Sequence, residues 1–229
     1  MILFGIIANN NWGMCLALTA GDTFPFNNLY NHRMLQVNQL TCEREQRVLF
    51  ENVSFSVQSG ELLRVEGGNG TGKTTLLRIL CGLYEDHEGE VTWETAQYPL
   101  YVGHKPGVKD QLTAFENLTW LCQLSGRSHS HQALMEALEL VNLRGFEDVP
   151  CGSMSEGQRK RVNLARLFLP LPDALILDEP FSAIDVAGVG RLENRMREHL
   201  GNGGVIILTS HQTVNLDARV RTLSLGVGS

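Results

Sequence analysis

The chain has 229 residues, of which 43% are hydrophobic and 19% are charged. This balance is typical of a globular domain and excludes a disordered chain, which would contain fewer apolar residues. The formal net charge of −6 argues against general electrostatic attraction to nucleic acid or to an anionic lipid surface, so we expect no nucleic-acid partner.

Cysteine usage and hydropathy indicate the environment of the chain. The five cysteines are scattered and form no C-x-x-C pair, which favours a reducing compartment; they are Cys15, Cys42, Cys81, Cys122 and Cys151. No run approaches the roughly 20 apolar residues that a spanning helix needs. We therefore predict that the chain has no transmembrane segment of its own.

The first 33 residues differ in pattern from the rest. Two apolar runs, Met1–Ala8 and Trp12–Ala20, are separated by three asparagines, and the first basic residue is Arg33. A secretory signal needs a basic start and an unbroken apolar run, and this segment has neither. Residues 1–33 are therefore either a loosely attached extension or an artefact of the assigned start site. We favour the second alternative, in which translation begins at Met34.

From Met34 onward, runs of strand period alternate with segments of helical period. The predicted strands are Met34–Leu40, Val48–Val57, Leu62–Glu66, Val91–Trp93, Tyr101–Val102, Ala174–Leu177 and Val205–Thr209. The predicted helices are Lys73–Cys81, Ala114–Ser125, Gln132–Val141, Glu156–Phe168 and Val186–Leu200. This alternation predicts an α/β fold in which helices cover a parallel sheet.

A glycine-rich loop joins the strand Leu62–Glu66 to the helix that begins at Lys73, and it fits the phosphate-loop pattern G-x-x-x-x-G-K-[ST]. In such a loop, backbone N–H groups and the helix N-terminus bind phosphates, the lysine reaches the β- and γ-phosphates, and the first threonine hydroxyl binds Mg²⁺. The sequence therefore predicts nucleotide binding, with Thr74 also a metal ligand. The predicted nucleotide-binding residues are Gly67, Gly68, Asn69, Gly70, Thr71, Gly72, Lys73, Thr74 and Thr75.

Two adjacent carboxylates follow the buried strand Ala174–Leu177, and ligands of parallel sheets bind at this end of the strands. We predict that Asp178 holds Mg²⁺ through its water shell and that Glu179 polarises the water that attacks the γ-phosphate. The two acids could instead only cap and begin a helix. The phosphate loop favours the catalytic interpretation.

The segment Met154–Gln158 resembles the signature sequence of ATP-binding cassette (ABC) proteins, although two of its five positions differ from Leu-Ser-Gly-Gly-Gln. Ser182–Asp185 is similar to the D-loop of that family, and Thr209–Gln212 to its switch region, with His211 as the switch histidine. The resemblance covers Met34–Ser229 and implies one ATP-binding domain over that range. It implies a P-loop NTPase fold of ABC type: a mostly parallel sheet core, an antiparallel β subdomain and a helical signature subdomain.

The resemblance also implies a homodimer, because in this family the signature of one subunit contacts the γ-phosphate bound by its partner. Ser155, Gly157 and Gln158 would then bind the nucleotide of a second copy. Ser155 is also a good N-cap, so capping of its own helix is the other interpretation. His211 is a catalytic candidate by resemblance, although a buried structural histidine is the alternative.

Two further positions, outside the signature segment, depart from the family pattern. His104 stands where the Q-loop glutamine is expected, and its imidazole can still face metal-bound water, with a contact that depends on pH. Arg44 stands where an aromatic ring would stack on adenine, and a guanidinium can stack on a π-face. His104 is therefore a catalytic candidate, and Arg44 is a nucleotide-binding candidate.

Four sequence segments resemble those of the haem-export ATPases of bacterial cytochrome c-type biogenesis: Cys42–Glu45, Val102–Lys109, Gly145–Pro150 and Ile176–Asp185. The resemblance implies an ATPase that uses ATP and Mg²⁺ and lies peripherally on the cytoplasmic face of the inner membrane. It would work with integral membrane subunits and drive release of a haem-loaded periplasmic chaperone. A soluble ABC ATPase of another pathway, such as iron–sulfur cluster assembly, is the alternative.

Overall fold

The computed structural model describes residues 32–182, 184–210, 216 and 218–226. The strands are β1 (Arg33–Arg44), β2 (Arg47–Gln58), β3 (Glu61–Glu66), β4 (Glu88–Trp93), β5 (Leu100–Val102), β6 (Ala174–Asp178), β7 (Val205–Thr209) and β8 (Arg219–Ser224). The α-helices are α1 (Lys73–Leu80), α2 (Ala114–Leu124), α3 (His131–Leu140), α4 (Glu156–Leu164) and α5 (Val186–Gly201). Within these ranges, no helix combines the length and the apolar character needed to cross a bilayer.

A five-stranded parallel sheet, in the order β5-β6-β7-β3-β8, forms the centre of the fold. Every residue of β6 and β7 is buried, which requires cover on both faces of the sheet. Alternate side chains enter two hydrophobic clusters: Leu175 and Leu177 pack with α2 to α5, whereas Ile176 packs with α1, β1 and β2. The predicted parallel sheet core is thus confirmed.

An antiparallel sheet in the order β2-β1-β4 packs against α1. The buried residues of β1 shift from Leu35 and Val37 to Leu40 and Cys42, because a bulge with a left-handed φ of 49° lies at Gln39. A bulge adds one residue and so exchanges the faces of the strand. The prediction that the strand stops at Leu40 is therefore wrong: β1 continues to Arg44.

Two other predicted boundaries need correction. The continuous helix over Glu156–Phe168 is wrong at its end, because α4 stops at Leu164 and Ala165–Phe168 forms a 3₁₀ turn. Tightening of the last turn is a common way to satisfy carbonyl groups at a helix end. The strand β8 was not predicted; it lies at the sheet edge beside β3 with mostly exposed side chains, so its sequence has little apolar pattern.

Candidate nucleotide-binding and hydrolysis site

A cavity of about 370 Å³ opens where β3, β5 and β6 end. It is lined by Arg44, Leu49, Asn69, Gly70, Gly72, Lys73, Thr74, Thr75, His104, Asp178 and Glu179. The phosphate loop, the two predicted carboxylates, and the residues His104 and Arg44 therefore all border the same cavity. A volume of this size lies in the range of roughly 300–1,000 Å³ that small-molecule sites occupy.

The conformation of the phosphate loop is fixed by residues of the loop itself. Lys73 Nζ donates hydrogen bonds to the carbonyl oxygens of Gly67 and Gly68 at 2.8 and 2.9 Å. Gly72, directly before α1, has a left-handed φ of 92°, and a Cβ there would lie 3.0 Å from both Leu49 and Phe50. Only glycine meets both restrictions, so the sequence of the loop fixes its path around the N-terminus of α1.

Asp178 connects the end of β6 to two neighbouring elements. Its side chain is buried; Oδ2 accepts a hydrogen bond from Thr74 Oγ1 at 2.9 Å, and Oδ1 accepts one from Thr209 Oγ1 at 2.7 Å. The Asp178 carboxylate and the Thr74 hydroxyl therefore form a pair of oxygen donors at the start of α1, a donor type that suits Mg²⁺. Burial raises the pKa of the Tyr101 phenol, and the charge of Asp178 adds to this, so Tyr101 stays protonated.

Glu179 occupies a backbone conformation that non-glycine residues seldom adopt, with φ of 53°. Its N–H donates to Thr209 at both Oγ1 (3.0 Å) and the carbonyl oxygen (3.2 Å). Its carbonyl oxygen accepts from Ser182 Oγ at 2.9 Å, and that hydroxyl in turn accepts from Lys160 Nζ at 2.8 Å. These bonds hold the turn in its unusual conformation, and the residue lines the cavity.

The predicted signature residues lie outside this cavity. Ser155 caps α4: Ser155 Oγ accepts from the Gln158 N–H at 3.2 Å, and the Gln158 side chain accepts from the Ser155 N–H at 2.9 Å. A Cβ at Gly157 would meet nothing within 4 Å. The capping function is therefore present in one chain, and the space beside Gly157 is open.

The remaining site predictions have different outcomes. His104 and Arg44 line the cavity, so the structure places both where the sequence expected them, although their roles stay predictions. His211 lies outside the described residues, and its catalytic role also stays a prediction. Thr209 and Lys160 were missed. Thr209 is the register partner of Asp178, and a buried polar residue at the end of an apolar strand was the available signal.

These features define the class of protein: an ABC-type nucleotide-binding domain, with a phosphate loop before α1, two adjacent carboxylates at the end of β6 and a side-chain cap at the start of α4. The family model described as ABC transporter matches residues 50–182, and the chain belongs to this family. It is an ATP-hydrolysing subunit of the ABC type.

The relatives are more specific. The chain is 47% identical over 203 residues to the cytochrome c biogenesis ATP-binding export protein CcmA of Pseudomonas savastanoi pv. phaseolicola, covering 84% of this chain and 95% of that one. The protein of the same name in Escherichia coli O157:H7 is 45% identical over 203 residues, covering 84% and 96%. A solved dimeric bacterial ABC transporter cassette has a TM-score of 0.72 at 22% identity, covering 84% of this chain and 95% of that one.

Proposed function

We propose that this chain is the ATPase subunit of a membrane export complex of cytochrome c biogenesis and couples ATP hydrolysis to haem export, through release of a haem-loaded periplasmic chaperone. One observation carries the ATPase part: the Lys73 loop and the Asp178–Glu179 pair line the same cavity. The cytochrome c part is supported by the resemblance of this chain to the proteins named CcmA. No observation favours a soluble ATPase of another pathway.

The residues of the cavity divide the chemistry of hydrolysis between them. Lys73 and the backbone N–H groups of the loop bind the β- and γ-phosphates. Thr74 and Asp178 would hold Mg²⁺, which supplies positive charge to the phosphate oxygens when it is bound. Glu179 orients a water molecule in line with the γ-phosphate and accepts its proton. His104, which also lines the cavity, supports that water in this proposal.

A second copy of the chain completes each site in this proposal. The first turn of α4 leaves the N–H groups of Glu156 and Gly157 without intrahelical acceptors, and the space beside Gly157 is open. Such a helix start attracts an anion. We place Ser155, Gly157 and Gln158 on the γ-phosphate bound by the other copy, and we propose His211, which lies outside the described residues, as the switch histidine.

The proposed location is the cytoplasmic face of the bacterial inner membrane, where the chain binds peripherally to integral subunits of the cytochrome c maturation system. Residues 34–229 form the ATP-binding domain in this proposal; the predicted extension before it falls almost wholly outside the described residues, which begin at residue 32. ATP drives pairing of two such domains against the membrane subunits, and hydrolysis separates them.

The Glu179→Gln variant tests this function. The amide keeps the size of the side chain but cannot accept the proton, so ATP should still bind while hydrolysis stops. In a strain whose only copy is Glu179→Gln, haem staining should show no mature c-type cytochromes and an accumulation of haem-loaded chaperone, while b-type cytochromes are spared. Glu51→Gln, at an exposed position of β2, is the matched control. Normal c-type cytochromes in the Glu179→Gln strain would contradict the proposal.

A further inference from the structure

A second cavity lies at the start of β5, whereas the nucleotide cavity opens where β5 ends. It has a volume of about 560 Å³ and is bounded by the segment that leads into β5 and by the segment that follows α2. The two cavities share no lining residue. A ligand in the second cavity therefore leaves the phosphate loop free. The lining residues used below are Gln97, Tyr98, Leu100, Leu124, Ser125 and Arg127.

Two arginines and a histidine gather at this cavity. Arg127 lines it directly, and a smaller adjoining pocket, which shares Leu100, Ser125 and Arg127 with it, is also lined by His129 and Arg166. Burial lowers the pKa of Arg166 to about 10, and the charge of Arg127 adds to this lowering, so Arg166 stays protonated at neutral pH. Burial and the charge of Arg127 also lower the pKa of His129. The three basic side chains therefore stand close enough to repel one another.

The positive charge of the two arginines is not balanced by an acid. Arg127 Nη2 donates to the side-chain oxygen of Gln97 at 2.9 Å. Arg166 Nη1 donates to the carbonyl oxygen of Tyr101 at 3.2 Å and to the side-chain oxygen of Asn163 at 3.0 Å. These acceptors are neutral, and within the described part of the chain neither guanidinium forms an ion pair with a carboxylate. The C-terminal end of α2 supplies only about half a negative charge, so the cavity has room for an anion and a net positive charge to attract it.

The rest of the cavity wall is suited to an apolar group. Tyr98 is 90% exposed and Leu124 is 65% exposed, although both are large side chains, and Leu100 between the two cavity segments is buried. Ligand sites commonly combine such an apolar wall with a few polar groups that fix the orientation of the ligand. The charged part favours a phosphate, because a guanidinium binds it with two parallel hydrogen bonds and because several basic groups match a doubly charged anion better than a single carboxylate.

We propose that this second cavity binds a phosphate monoester that carries an apolar or aromatic group, with the phosphate on Arg127 and the apolar group against Tyr98 and Leu124. Arg166, in the adjoining pocket, adds to the positive potential. A soluble phosphate monoester and the headgroup of phosphatidic acid both present this chemistry. The inference does not depend on the proposed ATPase function, since none of these residues belongs to the nucleotide cavity.

Equilibrium dialysis of the full chain against phenyl phosphate, with saturating ADP and Mg²⁺ present, tests this site. The ADP occupies the phosphate loop, so the probe reports on the second cavity. We expect one phenyl phosphate per chain and roughly tenfold weaker binding of inorganic phosphate, which lacks the ring that contacts Tyr98 and Leu124. Binding that disappears when ADP is added would assign the probe to the phosphate loop and would overturn the inference, as would equal affinity for the two probes.

Variants of Arg127 identify the group that holds the phosphate. Arg127→Gln should weaken the binding of phenyl phosphate by about tenfold or more, because it removes a charge-assisted hydrogen bond. Arg127→Lys should weaken it less, since it keeps the charge but loses the planar group, and it decides the matter if Arg127→Gln does not fold. Arg144→Gln is the matched control, because it removes the same charge from a side chain that is 81% exposed, outside both pockets. Unchanged affinity in the two Arg127 variants would overturn the inference.

Flotation with lipid vesicles distinguishes the two sources of the phosphate. Vesicles of phosphatidylcholine and phosphatidic acid should retain the full chain, and the Arg127→Gln variant should not be retained, if the ligand is a lipid headgroup; vesicles of phosphatidylcholine alone are the control. Binding of phenyl phosphate that depends on Arg127, without flotation, would identify a soluble phosphate monoester. Either result supports the proposed chemistry. The absence of binding that depends on Arg127 in both experiments would overturn it.

Discussion

Replacing Thr209 with valine isolates the hydrogen bond that fixes Asp178. Thr209 is fully buried at the end of β7; its hydroxyl donates to Asp178 Oδ1 at 2.7 Å and accepts from the Glu179 N–H at 3.0 Å. Valine has nearly the same shape, so the change removes the hydroxyl without opening a cavity. Among the described residues, Thr74 is then the one hydrogen-bond donor left to the Asp178 carboxylate, whereas the Glu179 N–H keeps the carbonyl oxygen of residue 209.

The size of the effect follows from the burial of the carboxylate. A hydrogen bond to a charged group contributes about 1.5–3 kcal/mol, and the buried oxygen loses its partner without regaining water. We expect Thr209→Val to lower the free energy of unfolding by about 2 kcal/mol, which lowers Tm by roughly 4–8 °C in a domain of this size. ATP turnover should fall by about tenfold, because the position of Asp178 and the turn at Glu179 both become less defined.

Urea denaturation and steady-state hydrolysis measure these two effects. Thr92→Val, at an exposed position of β4, is the matched control and should leave both values near those of the unmodified chain. If Thr209→Val changed the free energy of unfolding by less than about 0.5 kcal/mol, within the range of ordinary surface substitutions, the hydroxyl would not be what holds Asp178. Unchanged turnover would separately show that catalysis does not depend on this bond.

Two further predictions concern a turn and a buried imidazole. Lys160→Met removes the ammonium that donates to Ser182 Oγ at 2.8 Å beside the Glu179 turn. We expect kcat to fall while KM for ATP stays unchanged, and we expect Lys160→Arg to restore turnover. Equal kcat in all three proteins would contradict a dependence of hydrolysis on this hydrogen bond. His199 is 8% exposed and faces the Val205 carbonyl oxygen; burial lowers its pKa, although that carbonyl opposes the shift. The unfolded chain therefore binds the proton more tightly, and the contribution of His199 to stability is complete above about pH 6.5 and lost as the pH falls below it. In urea denaturation, His199→Gln should show a shallower loss of stability from about pH 7 to pH 5 than the unmodified chain, and equal slopes would contradict this.

The parts of the site that the sequence predicted are those set by local chemistry. The phosphate loop is readable because Gly72 and Lys73 are dictated by backbone conformation and charge within one turn. Asp178 and Glu179 are predictable because they lie where a buried parallel strand ends. In both cases neighbours along the chain make the residues recognisable, so a single sequence predicts where they lie in the fold, although distant residues fix their conformation.

The parts that could not be predicted depend on contacts between distant segments. Thr209 is recognisable as a polar residue at the end of an apolar strand, but its contact with Asp178 follows only from the pairing of β6 with β7. Lys160 reaches Ser182 from a different element, and neither residue type indicates that contact. The bulge at Gln39 is similar, because only pairing with β2 and β4 shows the shift in register.

The hydrogen bonds around α4 connect the two regions that the sequence treated as separate. The helix begins at Ser155, the residue we place on the nucleotide of the second copy, and Lys160 follows on the same rigid helix. From there, two hydrogen bonds through Ser182 lead to the carbonyl oxygen of Glu179. A shift of α4 upon pairing would therefore act on the strained turn that positions the proposed base in its own cavity. If two copies pair as proposed, this route would give occupancy of one nucleotide site a physical means to alter hydrolysis at the other, and the Lys160→Met variant removes the first of its two hydrogen bonds.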